Sequence, residues 1–213
     1  MISDELGNVL QTITYREGRV VGVAVNPNEV AIRDVFAQVQ QAISKHEPAR
    51  LPGLVDVRTL ATYETLRKHA LLAPRMVMLT HPIGEQILVL MMREQLGARL
   101  RSMDGSSVLA AGIEPPPYVY KNLSLTGLVD VRISGDRATA RTTYNGKRSV
   151  RELHFVKQRT AWKLDLLALM DEDEFLAFAA KRSRRSNDAT AEAYVRAVTH
   201  GNVGSSLWDP IGE

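Results

Sequence analysis

The chain lacks cysteine, long apolar runs and a strong excess of charge, and each absence excludes a class of protein. None of its 213 residues is cysteine, which excludes disulfides, thiolate catalysis and cysteine-based zinc sites. The longest apolar run, from Ile87 to Met92, is far shorter than the roughly 20 residues that span a bilayer. The N-terminus shows no secretory leader pattern. We therefore expect a cytoplasmic protein without a transmembrane segment.

The sequence also has few features of metal, nucleotide or hydrolase chemistry. It contains no Gly-x-x-x-x-Gly-Lys, Gly-x-Gly-x-x-Gly or Gly-x-Ser-x-Gly motif. The acidic run at residues 171–174 lacks the glycine and the ligand spacing of a calcium loop. The histidines are scattered without metal-binding spacing: His46, His69, His81, His154 and His200. We therefore expect neither a metal nor a cofactor.

The clearest positive pattern is the alternation of apolar and polar residues between Leu123 and Met170. This alternation is typical of half-buried strands. Turn sequences at residues 134–136 and near residues 159–160 divide the stretch, and Asn145-Gly146 favours a tight type I′ hairpin. The pattern predicts four consecutive antiparallel strands joined by short turns.

Helical patterns flank this predicted sheet on both sides, so the sequence indicates an α+β fold. Asn28 is the predicted N-cap of the first helix, Pro74 ends the second, and the Asp104-Gly105-Ser106-Ser107 run stops the third. Residues 75–79 are ambiguous between strand and helix. The predicted elements are a hairpin over residues 9–25, helices over residues 29–45, 59–72, 83–103 and 189–199, and a helix that begins at residue 171.

The end of the predicted sheet carries a family resemblance. The segments are Glu152-Leu153-His154-Phe155-Val156-Lys157 and, after a turn, Ala161-Trp162-Lys163-Leu164-Asp165. Over residues 29–170 the chain resembles the NTF2-like (SnoaL-like) superfamily, whose last two strands often carry these patterns. The resemblance implies a curved, cone-shaped four-stranded meander. Residues 1–28 would then be an N-terminal β-hairpin extension, and residues 171–213 would add C-terminal helices and a tail.

Enzymatic members of that superfamily hold a carboxylate or histidine in an apolar pocket, where burial tunes its pKa for proton transfer. The candidates for such a role are Asp56, Tyr63, His81, Tyr144, His154 and Asp165. Strand parity predicts that Asp165 and His154 point away from the pocket, and no pair has a spacing that chemistry requires. We therefore assign no catalytic residue, and a structural role is the simpler interpretation of each. The expected ligand-binding residues are Tyr63, Tyr144, Trp162 and Asp56.

The superfamily contains isomerases, cyclases and dehydratases as well as non-enzymatic assembly domains, so the fold does not define an activity. The predicted helix 83–103 is apolar around most of its circumference, which indicates burial in a core or against a partner. The basic run 181–185 suits a helix C-terminus, and with a net charge of only +3 we expect no nucleic-acid partner. The sequence favours a non-enzymatic interaction or scaffold subunit, in contact with a protein partner or with itself in an oligomer or larger assembly. The alternative is a small-molecule-binding pocket protein, with or without isomerase- or dehydratase-like acid–base activity.

Overall fold

The computed structural model describes residues 2–3, 9–16, 19–112, 126–144, 147–167, 184–199 and 207–212, with the backbone alone up to residue 25 and at residues 126, 144 and 149–151. The helices are α1 (Pro27–Ser44), α2 (Val57–Leu72), α3 (Arg75–Met78), α4 (Ile83–Leu96), α5 (Gly105–Ala111) and α6 (Asn187–Val198). The strands are β1 (Ile2–Ser3), β2 (Val9–Arg16), β3 (Arg19–Val25), β4 (Thr126–Ser134), β5 (Arg137–Tyr144), β6 (Lys147–Gln158) and β7 (Ala161–Asp165). Helices and antiparallel strands together make the chain an α+β protein.

The larger sheet has the strand order β4-β5-β6-β7, and each neighbouring pair is antiparallel. Gly135, at φ 58°, supplies the left-handed backbone in the turn between β4 and β5. Alternate residues of the last three strands are buried, as the sequence pattern predicts for half-buried strands. These buried residues are Ala138, Ala140, Thr142, Leu153, Phe155, Trp162 and Leu164.

Strand β4 departs from the alternation that the sequence predicts. Its register to β5 shifts between Val129 and Arg132, and Asp130 between them has φ 52°. A bulge of this kind inserts an extra residue and resets which side chains face the core. Among the described side chains of β4, Val131 alone is fully buried. The bulge therefore replaces the uninterrupted period-two strand that we expected here.

The smaller sheet has the order β1-β2-β3. Strands β2 and β3 pair antiparallel from Gln11 and Val25 to Arg16 and Arg19, with one register shift. The short strand β1 pairs antiparallel with the other edge of β2.

Helix α1 is anchored to the larger sheet at its first turn. Asn26 is the N-cap, and its side-chain oxygen accepts a hydrogen bond of 2.9 Å from the Asn28 backbone amide. The prediction of Asn28 as the cap was wrong by two residues, because Pro27 has no N–H and its fixed φ suits the first helical position. Asn28 Oδ1 instead accepts hydrogen bonds from Trp162 Nε1 at 3.1 Å and from Lys157 Nζ at 3.2 Å.

Helices α2 and α3 surround Pro74, where the sequence predicts a helix end. Helix α2 ends at Leu72, and Pro74 is the N-cap of α3. The stretch from residue 75 to 79, ambiguous in the sequence, is the one-turn helix α3. Proline cannot donate the backbone hydrogen bond that a continuous helix would need, so the chain breaks and restarts there.

The prediction of one long helix over residues 83–103 was wrong in its last third. Helix α4 ends at Leu96, because Gly97 has φ 49° and leaves the helical region, and a 3₁₀ turn, Gly97–Ser102, follows. Asp104, predicted as part of a stop, caps a new helix: its Oδ1 accepts a 2.8 Å hydrogen bond from the Ser107 amide at the start of α5.

The packing of α5 against α2 requires glycine at position 105. An added Cβ at Gly105 would lie 2.5 Å from the Glu64 amide nitrogen and 2.8 Å from the Leu60 carbonyl oxygen, both backbone atoms. We expect Gly105→Ala to lower the free energy of unfolding by about 1–3 kcal/mol, since the two helices must separate. Urea denaturation measures this. Gly53→Ala is the control, with no atom within 4 Å of the new methyl group, and an equal loss in both variants would refute the close-approach explanation.

The C-terminal part of the chain packs on the helices. Helix α6 lies against α4, with Ala191 and Val195 buried. In the tail, Leu207 and Trp208 are buried, and the Gly212 amide donates to the Leu71 carbonyl on α2 at 2.9 Å.

The last predicted helix, 189–199, is present as α6. The helix predicted from residue 171 lies outside the described residues. No helix in the described ranges is long and apolar enough to cross a membrane.

Candidate functional site

A pair of buried carboxyl groups joins α2 to the edge of the larger sheet. This edge is strand β7, and the backbone of residues 54–56 pairs with it. The Asp56 amide donates to the Leu164 carbonyl at 3.0 Å, and the Leu164 amide donates to the Leu54 carbonyl at 2.9 Å. The fully buried Asp56 side chain caps α2 by accepting from the amides of Arg58 and Thr59 at 2.6 and 3.0 Å. It also accepts from the Thr59 hydroxyl at 3.2 Å.

Asp165, at the end of β7, is the second carboxyl group of the pair. Its Oδ2 accepts a 2.6 Å hydrogen bond from Arg58 Nη2, and its Oδ1 accepts one of 3.1 Å from the Leu167 amide. Burial raises the pKa of Asp165, the negative charge of Asp56 raises it further, and the Arg58 guanidinium opposes both effects. Strand parity predicted that Asp165 points away from the pocket; the residue is buried nevertheless, beside Asp56 and under Arg58.

Two adjacent carboxyl groups, one with a raised pKa, are a pattern that enzymes use for acid–base chemistry. Here all four carboxyl oxygens of Asp56 and Asp165 already have hydrogen-bond partners within the chain. The cluster therefore holds the start of α2 against β7. Its hydrogen bonds are those of a structural element.

The raised pKa of Asp165 gives a pH dependence with a definite sign. Because the folded chain binds this proton more tightly than the unfolded chain, stability is lost as the pH rises from about 4, the usual aspartate value, through the raised pKa. Asp165→Asn removes this titration. The free energy of unfolding of the variant minus that of the unmodified protein should be larger at pH 7.5 than at pH 4. Urea denaturation at both pH values measures it, with the exposed Asp136→Asn as control; a constant difference would contradict the prediction.

A second buried polar cluster surrounds Arg93 on α4. Burial lowers the pKa of its guanidinium, and the charge of Asp209 opposes this. Within the described part of the chain the guanidinium donates to no carboxylate and is held by four backbone carbonyls instead. Its acceptors are the carbonyls of His69, Ala70, Ala73 and Trp208, at 3.0, 2.9, 2.5 and 2.7 Å. The first three lie at the C-terminus of α2, so Arg93 caps that helix where its dipole is negative, and the fourth lies in the tail.

Two histidines lie next to this cap. The rings of His69 and His81 pack edge to face with centroids 4.6 Å apart, and His81 Nδ1 lies 2.8 Å from Glu85 Oε2. Burial lowers the pKa of His69, and the neighbouring His81 and Arg93 lower it further against the charge of Glu85. Within the described ranges no group of histidine and carboxylate side chains could hold a metal ion.

The residues that the sequence suggested for ligand binding lie on three different elements: Asp56 and Tyr63 at α2, Tyr144 on β5 and Trp162 on β7. Tyr63 is buried on α2, and Trp162 is buried with its indole N–H bound to Asn28. Asp56 caps α2, and the Tyr144 side chain lies outside the described atoms. His154 is exposed on β6. Arg58 and Arg93, which the sequence interpretation missed, organise the two buried clusters. Arg93 had a visible signal, since it directly follows the apolar run that ends at Met92.

A shallow groove of about 460 Å³ lies where α5 meets two 3₁₀ turns, Pro48–Gly53 and Gly97–Ser102. Its polar side chains are Arg99, Ser102 and Ser107, and Met103 is among its apolar ones. The Ser102 hydroxyl already donates to the Arg99 carbonyl at 3.1 Å. Among the described residues that line the groove there is no carboxylate or histidine, so this lining carries no group suited to proton transfer near neutral pH.

An exposed apolar surface surrounds α3, and we call it the α3 surface. It consists of Leu72, Met76, Val77 and Leu79, whose side chains are between 38% and 74% exposed. Single exposed apolar residues are ordinary, but four within eight consecutive positions form a patch of the kind that marks an interaction site. The two buried clusters hold the fold, whereas the four apolar residues of the α3 surface are exposed.

Comparisons with protein-family models, with curated proteins and with solved structures find no match to this chain.

Proposed function

We propose that this protein is a non-enzymatic interaction subunit with an NTF2-like core, and that it joins a larger assembly through the α3 surface. The observation that carries the proposal is the exposure of Leu72, Met76, Val77 and Leu79 on one short segment. Fully burying an exposed apolar side chain of this size contributes about 1.5–3 kcal/mol, and side chains that are 38–74% exposed contribute a corresponding fraction of it. Four of them are therefore enough to contribute a substantial part of a binding free energy.

The α3 surface is held firmly enough to present these side chains without first folding. Met78, on the opposite side of α3, is completely buried. Ala73, two residues before the start of α3, is buried as well. The Leu79 amide donates to the Arg75 carbonyl at 3.0 Å, which closes the helical turn. A preorganised surface loses little conformational entropy on binding, and this favours recognition.

The chemistry of the side chains also suits a protein partner. Methionine is flexible and polarisable, and leucine and valine add aliphatic area, so the α3 surface can adapt to an apolar counterpart. The buried Asp56–Asp165 pair, in contrast, has its oxygens satisfied within the chain, and this leaves acid–base catalysis with less support than association.

The substitution Met76→Asp tests the proposal, because Met76 is the most exposed residue of the α3 surface. In extracts of cells that make the protein, the tagged chain should elute in gel filtration well above its own mass of 23.6 kDa. With Met76→Asp we expect a tenfold or larger loss of the assembled fraction, since a buried charge without a partner is strongly unfavourable.

Val30→Asp is the matched control for this experiment. Val30 is an exposed valine on α1, outside the α3 surface, so the same charge is added without touching the proposed contact. Val30→Asp should leave the elution unchanged. Elution of all three proteins at the monomer mass, or an assembly that survives Met76→Asp, would overturn the proposed function.

A second candidate function is small-molecule binding in the groove beside α5. The observation that favours it is the groove volume of about 460 Å³, which lies within the range of ligand sites. Asp56 and Asp165 do not line this groove, so the candidate is a binding function without acid–base chemistry. Native mass spectrometry of the purified protein tests it. A bound small molecule that is lost in Ala110→Trp, which fills the groove, would support this function over the first.

A further inference from the structure

We propose that the partner at the α3 surface is a protein segment whose apolar side chains are flanked by carboxylates. This inference rests on the proposed function and adds the chemistry of the partner. It is drawn from the charges that border the α3 surface, because a rim of one sign selects a partner of the opposite sign.

Two of the bordering cations are Lys68 and Arg75. Lys68 lies four residues before Leu72 on α2, and side chains at this spacing are neighbours on one helix face. Arg75 is the first residue of α3 and directly precedes Met76. A cation therefore stands beside the apolar residues on α2 and on α3.

Two more cations approach from the chain that leads into α6. Asp188, in the first turn of α6, forms a 2.6 Å ion pair with Arg75 and so ties the start of α6 to α3. Arg184 and Arg185 lie four and three residues before Asp188, and both are exposed. Three residues of extended chain span about 10 Å at most, so Arg185 stays close to the rim of the α3 surface.

The two carboxylates that pair with Lys68 and Arg75 are more covered than these cations, whereas Asp209, next to Trp208, is exposed. The Lys68 side chain is 62% exposed and its partner Glu64 is 32% exposed, while Arg75 is 54% exposed and Asp188 only 18%. Each paired carboxylate is less exposed than its cation, and Arg184 and Arg185 are exposed as well, so among the described residues the cations outweigh Asp209 at the edge of the α3 surface. The counterpart that this surface fits is apolar in the middle and acidic at its edges.

Two other occupants fit these observations less well. A second copy of the chain, related by a two-fold axis, would place the same cations opposite each other. An anionic membrane is a poorer match, because interfacial helices are long and amphipathic and carry aromatic anchors. Helix α3 has four residues, and the α3 surface contains no aromatic side chain.

The test uses the full chain and two synthetic helical peptides with identical leucine positions. One peptide has glutamates at its flanking positions, and the other has lysines there. Fluorescence anisotropy should show the glutamate peptide binding at least tenfold more tightly at low salt, and the difference should shrink as salt screens the rim charges. The double variant Lys68→Glu with Arg185→Glu should lose this preference, and Lys68→Gln with Arg185→Gln should reduce it with less perturbation of the fold.

The outcomes separate this inference from the proposed function. Equal binding of both peptides, abolished by Met76→Asp, would overturn the acidic partner and leave the interaction function standing. Tighter binding to phosphatidylserine vesicles than to either peptide would overturn it in favour of a lipid surface. Binding of neither peptide would also overturn the acidic partner, and the gel-filtration result for Met76→Asp would then decide the proposed function alone.

Discussion

Replacing Arg93 with methionine is expected to lower the free energy of unfolding by about 4 kcal/mol, the largest effect of any single substitution considered. The guanidinium is buried and donates to four carbonyls, three at the end of α2 and one at Trp208. Methionine fills similar space but removes the donor. The His69 and Ala70 carbonyls still accept from the Ala73 amide at 2.9 Å and the Ile211 amide at 3.5 Å. The Ala73 and Trp208 carbonyls have no other donor among the described residues, and each buried unsatisfied group costs about 1–3 kcal/mol. Water that enters the site will recover part of the loss. Urea denaturation measures it.

A local probe distinguishes this mechanism from general destabilisation. Because Arg93 holds the Trp208 carbonyl, its loss should release the tail, and the emission of Trp208 should shift to the red in a Trp162→Phe background. Arg93→Lys keeps the charge but cannot reproduce the planar fork, so it should recover only part of the stability. Arg50→Met, at an exposed arginine paired with Glu47, should change stability by about 0.5 kcal/mol or less. A similarly small effect at Arg93 would contradict the capping role.

The second large effect is expected for Asp56→Ala, with a loss of about 3 kcal/mol. The substitution removes the acceptor for the amides of Arg58 and Thr59 and for the Thr59 hydroxyl. An N-cap is worth about 1–2 kcal/mol, and the buried donors left without partners add to it. Urea denaturation measures the change, and a loss of helical circular dichroism before the main transition would report fraying of α2.

Two comparisons give the Asp56 result its meaning. Asp56→Asn keeps a side-chain oxygen at the cap and removes one of the two like charges, so it should retain most of the stability. Asp104→Ala removes the N-cap of the short helix α5 at an exposed position, and its effect should be smaller. If Asp56→Asn were as damaging as Asp56→Ala, the charge of Asp56 rather than its cap would be the important property.

The sequence predicts those parts of the fold that depend on local pattern. Alternation between residues 137 and 164 gives three strands of the larger sheet, because period-two burial is a property of each strand alone. The end of α2 before Pro74 follows from proline chemistry in the same way. These features need no knowledge of what packs against them.

Other features depend on tertiary context and escape sequence analysis. The bulge at Asp130 in β4 is invisible in the alternation, and the break of α4 at Gly97 requires that this glycine adopt a positive φ. Helix α5 follows Asp104, which the sequence suggested only as a stop. In each case a residue that permits two conformations adopts the one that its surroundings favour.

The candidate sites were even less predictable. Asp56 and Asp165 are more than 100 positions apart, and their meeting depends on the backbone bonds between residues 54–56 and β7. The α3 surface consists of apolar residues that, in sequence, are indistinguishable from core residues. Met76 and Met78 are two positions apart on a short helix, yet one is exposed and the other completely buried. Only the packing of α3 decides between them.

That contrast provides the most direct test of the central claim, that the α3 surface is covered by a partner in the native assembly. Methionine oxidation by dilute hydrogen peroxide, followed by mass spectrometry of the peptides, reports the exposure of each methionine. We predict rapid oxidation of Met76 in the purified chain, at least fivefold slower oxidation of Met76 in the assembly from native extracts, and slow oxidation of Met78 in both. Equal oxidation rates of Met76 in the assembly and in the purified chain would contradict the claim.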